Sequence, residues 1–297
     1  MSERADIKVG FACNNRCVFC AQGQKRADVA LVPRGELLSR LARCRAPGRG
    51  LVLTGGEPTI RKDLHAIVAA AHALGFHPIQ VQTNGRMLSY PGLVARLVAE
   101  GVDEFSPALH GPTAAVHDAL TRAEGSFDQT LSGIGNALAS GAVVITNTVA
   151  VKGNLEHLPA TMELLGDIGV REAQIALVHP VGTAGELFGE VAPRPSEAAP
   201  WIHAAVDRGR ALGMRVVVEA MPHCLMRGHE DAIVEGDIPE TTVVDLDGAP
   251  FAFSDWRRGE GKAKGPPCEH CASANRCEGP WREYPERYGW DEYVPLE

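Results

Sequence analysis

Ile7 to Cys20 reads IKVGFACNNRCVFC, an apolar stretch running straight into three cysteines. Cys13, Cys17 and Cys20 stand in a C-x3-C-x2-C spacing, so three thiolates share one short loop. Such a loop can hold three irons of a 4Fe–4S cube and leave the fourth without a protein ligand, open to a substrate or cofactor. A zinc site normally takes four ligands, usually as two separated pairs. A disulfide reading leaves one of the three cysteines unpaired. The spacing therefore points to iron–sulfur chemistry on a loop that follows a strand.

Ile7–Phe11 is the first of six short apolar segments that read as buried parallel strands; the others are 51–54, 78–82, 104–109, 143–149 and 173–178. Helical patterns alternate with them at 35–44, 64–74, 92–100, 127–139 and 155–165. Ser126 is placed to cap the helix opening at Phe127, and Gly75 and Gly141 sit where helices end. Six such units predict an α/β fold, a partial (β/α)6 TIM-like barrel of parallel strands. Its chemistry belongs on the loops after the strands.

Composition sets the outer limits. The chain has 297 residues, 45% apolar and 22% charged, ordinary for a globular enzyme, and a net charge of −8 argues against a nucleic-acid surface. No apolar run approaches the ~20 residues needed to span a bilayer. The N-terminal stretch MSERADIKVG has no signal-peptide core. Eight cysteines in a chain without an export signal suit metal ligation in a reducing compartment, which predicts a cytoplasmic protein.

The loops after the predicted strands carry the polar motifs. Gly55-Gly56-Glu57-Pro58 follows the second strand; glycines let backbone pass close to a ligand, and Glu57 can take up an ammonium group. Gln82 to Gly85, QTNG, closes the third strand. Glu104 to Gly111, EFSPALHG, ends the fourth and offers His110 as an acid/base or substrate contact. Asn147 is an amide in an otherwise apolar and Thr-bearing fifth strand and must find partners. His179 faces the same mouth after the sixth strand, while Cys44 reads as a small buried residue.

After Gly182 the register changes. A helix at 198–212 leads to a further strand candidate, MRVVVEAMP, and then Cys224. A polar stretch of little periodicity, 228–267, ends in CEHCASANRC, which holds Cys268, Cys271 and Cys277. With Cys224 these supply four thiolates, enough for a cluster with no open iron and equally for a structural zinc. His223, His270 and His203 read as surface or supporting groups. The tail holds two of the four Trp and three of the four Tyr, which suggests ordered packing.

Taken together, the cysteine loop with Phe19 before its third cysteine and the complete GGEP segment resemble the radical S-adenosylmethionine (radical SAM) superfamily. The resemblance implies a cluster on Cys13, Cys17 and Cys20 whose open iron chelates SAM, with Gly55, Gly56, Glu57 and Pro58 taking the SAM amino group. It also implies contacts to SAM from Asn84, Ser106 and Asn147. Related proteins often carry a second serine near Leu109, where this chain has Ala108. The Cys268–Cys277 run is similar to part of the SPASM or half-size twitch extension, which carries an auxiliary 4Fe–4S cluster. Trp281 stands where a full SPASM domain has a further cysteine, so one auxiliary cluster is implied.

The expected organisation is a barrel over 1–222 and a small Cys-rich auxiliary domain over 223–297. The expected activity is reductive cleavage of SAM to a 5′-deoxyadenosyl radical that abstracts hydrogen from a peptide or protein substrate. A cofactor-pathway reaction on a small metabolite, similar to the molybdopterin members, is the alternative; a non-catalytic electron carrier would leave GGEP unexplained. Flavodoxin or ferredoxin is the expected reductant, with no nucleic acid or membrane as partner.

Overall fold

In the computed structural model the described residues are 3–23, 25, 31–245 and 248–297. Their strands are β1 (Glu3–Lys8), β2 (Gly50–Thr54), β3 (Ile79–Thr83), β4 (Glu104–Pro107), β5 (Val143–Ala150), β6 (Glu172–Leu177), β7 (Arg215–Glu219), β8 (Glu240–Val244) and β9 (Pro250–Ala252). They form one nine-stranded sheet in the order β7-β6-β5-β4-β3-β2-β1-β8-β9. Strands β1 to β8 run parallel to their neighbours, and β9 is antiparallel to β8. Because β7 and β9 are the two edges, the sheet does not close into a barrel.

The main helices are α1 (Arg34–Cys44), α2 (Leu64–Ala73), α3 (Pro91–Ala99), α4 (Ala114–Thr121), α5 (Ser126–Ala139), α6 (Leu158–Asp167), α7 (Pro195–Ala211) and α8 (Glu283–Tyr288). Alternation along the strands sets the two faces of the sheet. Ile7, Leu53, Val81, Phe105, Ile175 and Val218 are all 0% exposed and belong to the core. Each such burial stabilises by about 1.5–3 kcal/mol. The alternate residues, Lys8, Gln82, Asn147 and Glu219 among them, line a cavity on the other side of the sheet. These polar side chains stand in a largely apolar lumen, where a closed barrel would be filled with aliphatic layers.

Polar side chains on the lumen face explain the first departure from the sequence reading. The strand expected at Ile7–Phe11 lies at Glu3–Lys8, because Arg4, Asp6 and Lys8 alternate with buried Ala5 and Ile7. A second departure is at the start of α5. Ser126 is the first helical residue and donates to Asp118 Oδ1 at 2.7 Å. Asp118 takes the capping role, accepting from Phe127 N at 2.8 Å and Gly125 N at 2.7 Å. A third lies in the stretch expected to be irregular, where β8 pairs with β1 and carries β9 at its outer edge. The segment after residue 222 therefore shares the main sheet as well as carrying its cysteines.

Candidate active site

The strand ends enclose a cavity of about 380 Å³, and Cys13, Cys17 and Cys20 all line it. Their loop is fastened from two directions. Arg16 N and Val18 N donate to the carbonyls of Thr121 and Leu120 at the end of α4, at 2.8 and 3.0 Å. On the other side Arg86 Nη1 donates to Asn14 O and, at 2.9 Å, to Asn15 Oδ1. Three thiols on one hydrogen-bonded loop facing a cavity match the donor count of a cluster with one open iron.

The glycines of GGEP serve this loop. Gly56 N donates to Gly10 O and Glu57 N to Ala12 O, each at 2.8 Å, so the segment lies directly on the backbone leading to Cys13. A Cβ on Gly55 would meet Gly10 O at 2.2 Å, and one on Gly56 would meet Ala12 O at 2.3 Å. The sequence reading gave these glycines to ligand approach; the structure shows that the cysteine loop already occupies the space beside them, while both also line the cavity.

Glu57 is placed differently from expectation. It is 2% exposed and absent from the cavity wall. Its Oε1 accepts from Thr59 N at 2.9 Å, Thr83 Oγ1 at 2.6 Å and Thr59 Oγ1; its Oε2 accepts from Asn84 N at 2.6 Å. Burial pushes its pKa above the usual carboxylate range, and these hydrogen bonds oppose that rise. The carboxylate thus ties the start of the 3₁₀ turn Pro58–Ile60 to the end of β3. Pro58 is buried and opens that turn.

Asn84 does line the cavity, and its Nδ2 donates to Asn14 Oδ1 at 2.7 Å with Cys13 Sγ at 3.9 Å. Ser106 and Asn147 line it too, and among the described residues no donor reaches the buried Asn147 Oδ1. An amide oxygen left in that state fits a polar cofactor. Phe19 meets His110 edge-on at 4.6 Å between ring centres. His110 Nδ1 accepts from Val149 N at 3.3 Å, which puts the ring proton on Nε2. Burial, with His117 beside it, holds His110 well below the usual histidine pKa, so the ring stays neutral. A base poised near neutral pH is therefore not what this histidine offers.

Sequence reasoning did not single out Lys8 or Glu219, took Gln82 only as part of the QTNG segment, and gave Trp281 no place in the wall, yet all four line the cavity. Alternation along β1, β3 and β7 was the signal that could have found the first three. His179 stacks on Trp281 at 3.9 Å between ring centres.

The second cysteine group is also brought together. Cys224, Cys268, Cys271 and Cys277 line one small cavity with His223 and Tyr293. Burial and the three neighbouring thiols push the Cys224 thiol up to about 12. By donor count four thiols suit a fully ligated cluster or a zinc, while among the described residues no three His, Cys, Asp or Glu side chains are drawn close enough to hold a single metal ion. His203 points elsewhere, bonding Leu225 O at 2.9 Å and stacking on His229.

A sequence profile of the radical SAM superfamily matches residues 7–165. A probable GTP 3′,8-cyclase of Saccharolobus solfataricus is 32% identical over 186 residues, 62% of this chain and 59% of that protein. An AdoMet-dependent heme synthase of Methanosarcina barkeri is 29% identical over 230 residues, 75% of this chain and 63% of that protein. The chain thus spans about three-fifths of the length of these curated relatives. In fold it resembles SuiB of Streptococcus suis bound to S-adenosylmethionine, with a TM-score of 0.70 at 14% identity, covering 99% of this chain and 76% of SuiB.

Proposed function

This chain belongs to the radical SAM superfamily, and from that premise we propose that it acts on a small polar metabolite held in the lumen of its open barrel. It is an enzyme of that superfamily. Cys13, Cys17 and Cys20 would hold the 4Fe–4S cluster, and Asn147 with Ser106 would contact SAM. When bound, cluster and SAM together supply a one-electron reductive cleavage and a 5′-deoxyadenosyl radical that abstracts hydrogen from the substrate. The chain positions the reactants, and buried Phe19 and His110 exclude water beside the cysteine loop. Cys224, Cys268, Cys271 and Cys277 would hold the auxiliary cluster, and a flavodoxin or ferredoxin would supply electrons.

The observation that carries the substrate reading is a largely apolar lumen with a few polar side chains placed in it. Gln82 and Glu219 offer hydrogen-bonding groups in the same cavity as the cysteines, where a whole small molecule can be held from several sides. The small molecules named in the two curated relatives support it. Among the described residues no helix is long and apolar enough to cross a membrane.

The test is anaerobic incubation of the reconstituted protein with dithionite, SAM and separated small-molecule and peptide fractions. Release of 5′-deoxyadenosine should rise with the small-molecule fraction and vanish in a Cys13→Ala/Cys17→Ala/Cys20→Ala variant. Stimulation by the peptide fraction alone would restore the peptide reading expected first from the sequence. Undiminished release from the triple variant would remove the cysteine loop from the chemistry.

A further inference from the structure

The end of β7 is built with more care than a strand terminus requires. Among the described residues lining the cavity, Glu219 is the one carboxylate. Gln174 on β6 donates to its Oε2. The next residue, Ala220, has φ +67°, a left-handed conformation that a Cβ disfavours. Ala220 keeps it because its N–H donates at 2.7 Å to Glu235 Oε1, and that oxygen also takes Lys262 Nζ at 2.6 Å. Glu235 and Lys262 are both buried. A buried ion pair thus holds a strained turn, and the turn fixes where the Glu219 carboxylate stands.

Its electrostatic setting leaves it wanting donors. Burial first, then the neighbouring Glu235, raises the Glu219 pKa, with Lys262, Arg257 and Arg4 opposing. Gln174 is its side chain's hydrogen-bond donor among the described residues. The lining cation, Lys8, is engaged with Asp6 at 3.1 Å and Thr54 at 2.8 Å. A carboxylate oriented in advance and reached from a cavity suits a ligand presenting two adjacent N–H groups, which it can accept side by side.

We propose that Glu219 is a substrate-recognition residue that accepts the paired N–H donors of an amino-heterocycle edge or a guanidinium. The proposal rests on the small-metabolite reading of the lumen. Strain at Ala220 and the Glu235–Lys262 pair serve to hold the acceptor still, so that the ligand's donors replace water without rearranging the wall.

The test is equilibrium dialysis on the full, anaerobically reconstituted chain with SAM. Guanosine and agmatine carry the paired donors; inosine, which lacks the 2-amino group, is the matched control. The wild type should bind guanosine, agmatine or both, with guanosine preferred to inosine by about tenfold if the heterocycle is the ligand. Glu219→Gln, which preserves shape, should weaken the bound probe about tenfold and inosine, which keeps only the ring N1–H, by less. Iron content and melting temperature equal to wild type would show that the variant is folded. A merely structural role would weaken all probes by the same factor, and that result overturns the proposal. Equal binding of each probe to both proteins also overturns it, as does a wild type that binds neither guanosine nor agmatine. Failure of the broader reading would look different, because SAM cleavage would then respond to peptides and to no small molecule.

Discussion

Replacing Gly56 by alanine distinguishes a glycine kept for ligand approach from one kept for the cysteine loop. The added Cβ would lie 2.3 Å from Ala12 O and 2.5 Å from Phe11 O, both backbone atoms that cannot rotate away. Relief requires the GGEP segment and the loop to separate by roughly 1 Å, from these contacts to an ordinary one. That movement stretches the bonds Gly56 N to Gly10 O and Glu57 N to Ala12 O, each 2.8 Å. Overpacking of this kind costs about 1–3 kcal/mol, and each weakened backbone hydrogen bond about 1 kcal/mol more. Gly56→Ala should therefore lose about 3–5 kcal/mol of stability, with cluster retention falling alongside. Gly135→Ala is the control, since nothing lies within 4 Å of its Cβ and it sits inside α5; it should gain up to ~1 kcal/mol. Urea unfolding of the apo protein and iron analysis after reconstitution give both readouts. A Gly56→Ala protein with wild-type stability and iron, but weakened SAM binding alone, would refute the packing argument and restore the ligand-approach reading.

Two further predictions follow from the buried groups. The Glu57 carboxyl has a folded pKa above its unfolded value near 4.5, so the folded state binds more protons. Its contribution to stability is full below about pH 4.5 and declines as pH rises through the folded value; the wild type minus Glu57→Gln difference in unfolding free energy should fall across that window, and a flat or rising difference would contradict the burial. For the auxiliary site, anaerobic reconstitution should give about eight irons per chain, and the Cys13/Cys17/Cys20 triple alanine variant about four. One zinc and no iron retained by that variant would make the second site structural zinc and exclude an electron-transfer role.

The sequence by itself determined what depends on short-range pattern. Apolar runs separated by helical periodicity gave the order of the first seven strands and most of the helices between them, because burial against helices needs a continuous apolar face in each strand. The C-x3-C-x2-C loop and GGEP pointed to the family, since their spacing is a property of a few consecutive residues. Only the tertiary structure decided what each polar residue faces. Arg4, Asp6 and Lys8 resemble a solvated terminus in sequence, but alternate with Ala5 and Ile7 in a strand paired on both sides. Glu57 reads as a ligand carboxylate until donors from Thr59, Thr83 and Asn84 are seen to surround it. Glu219 gained its place from partners distant in the chain, Glu235 and Lys262, which no local pattern relates to β7. Hydrophobic periodicity is written locally, whereas the partner of a buried charge is chosen by how the chain comes together.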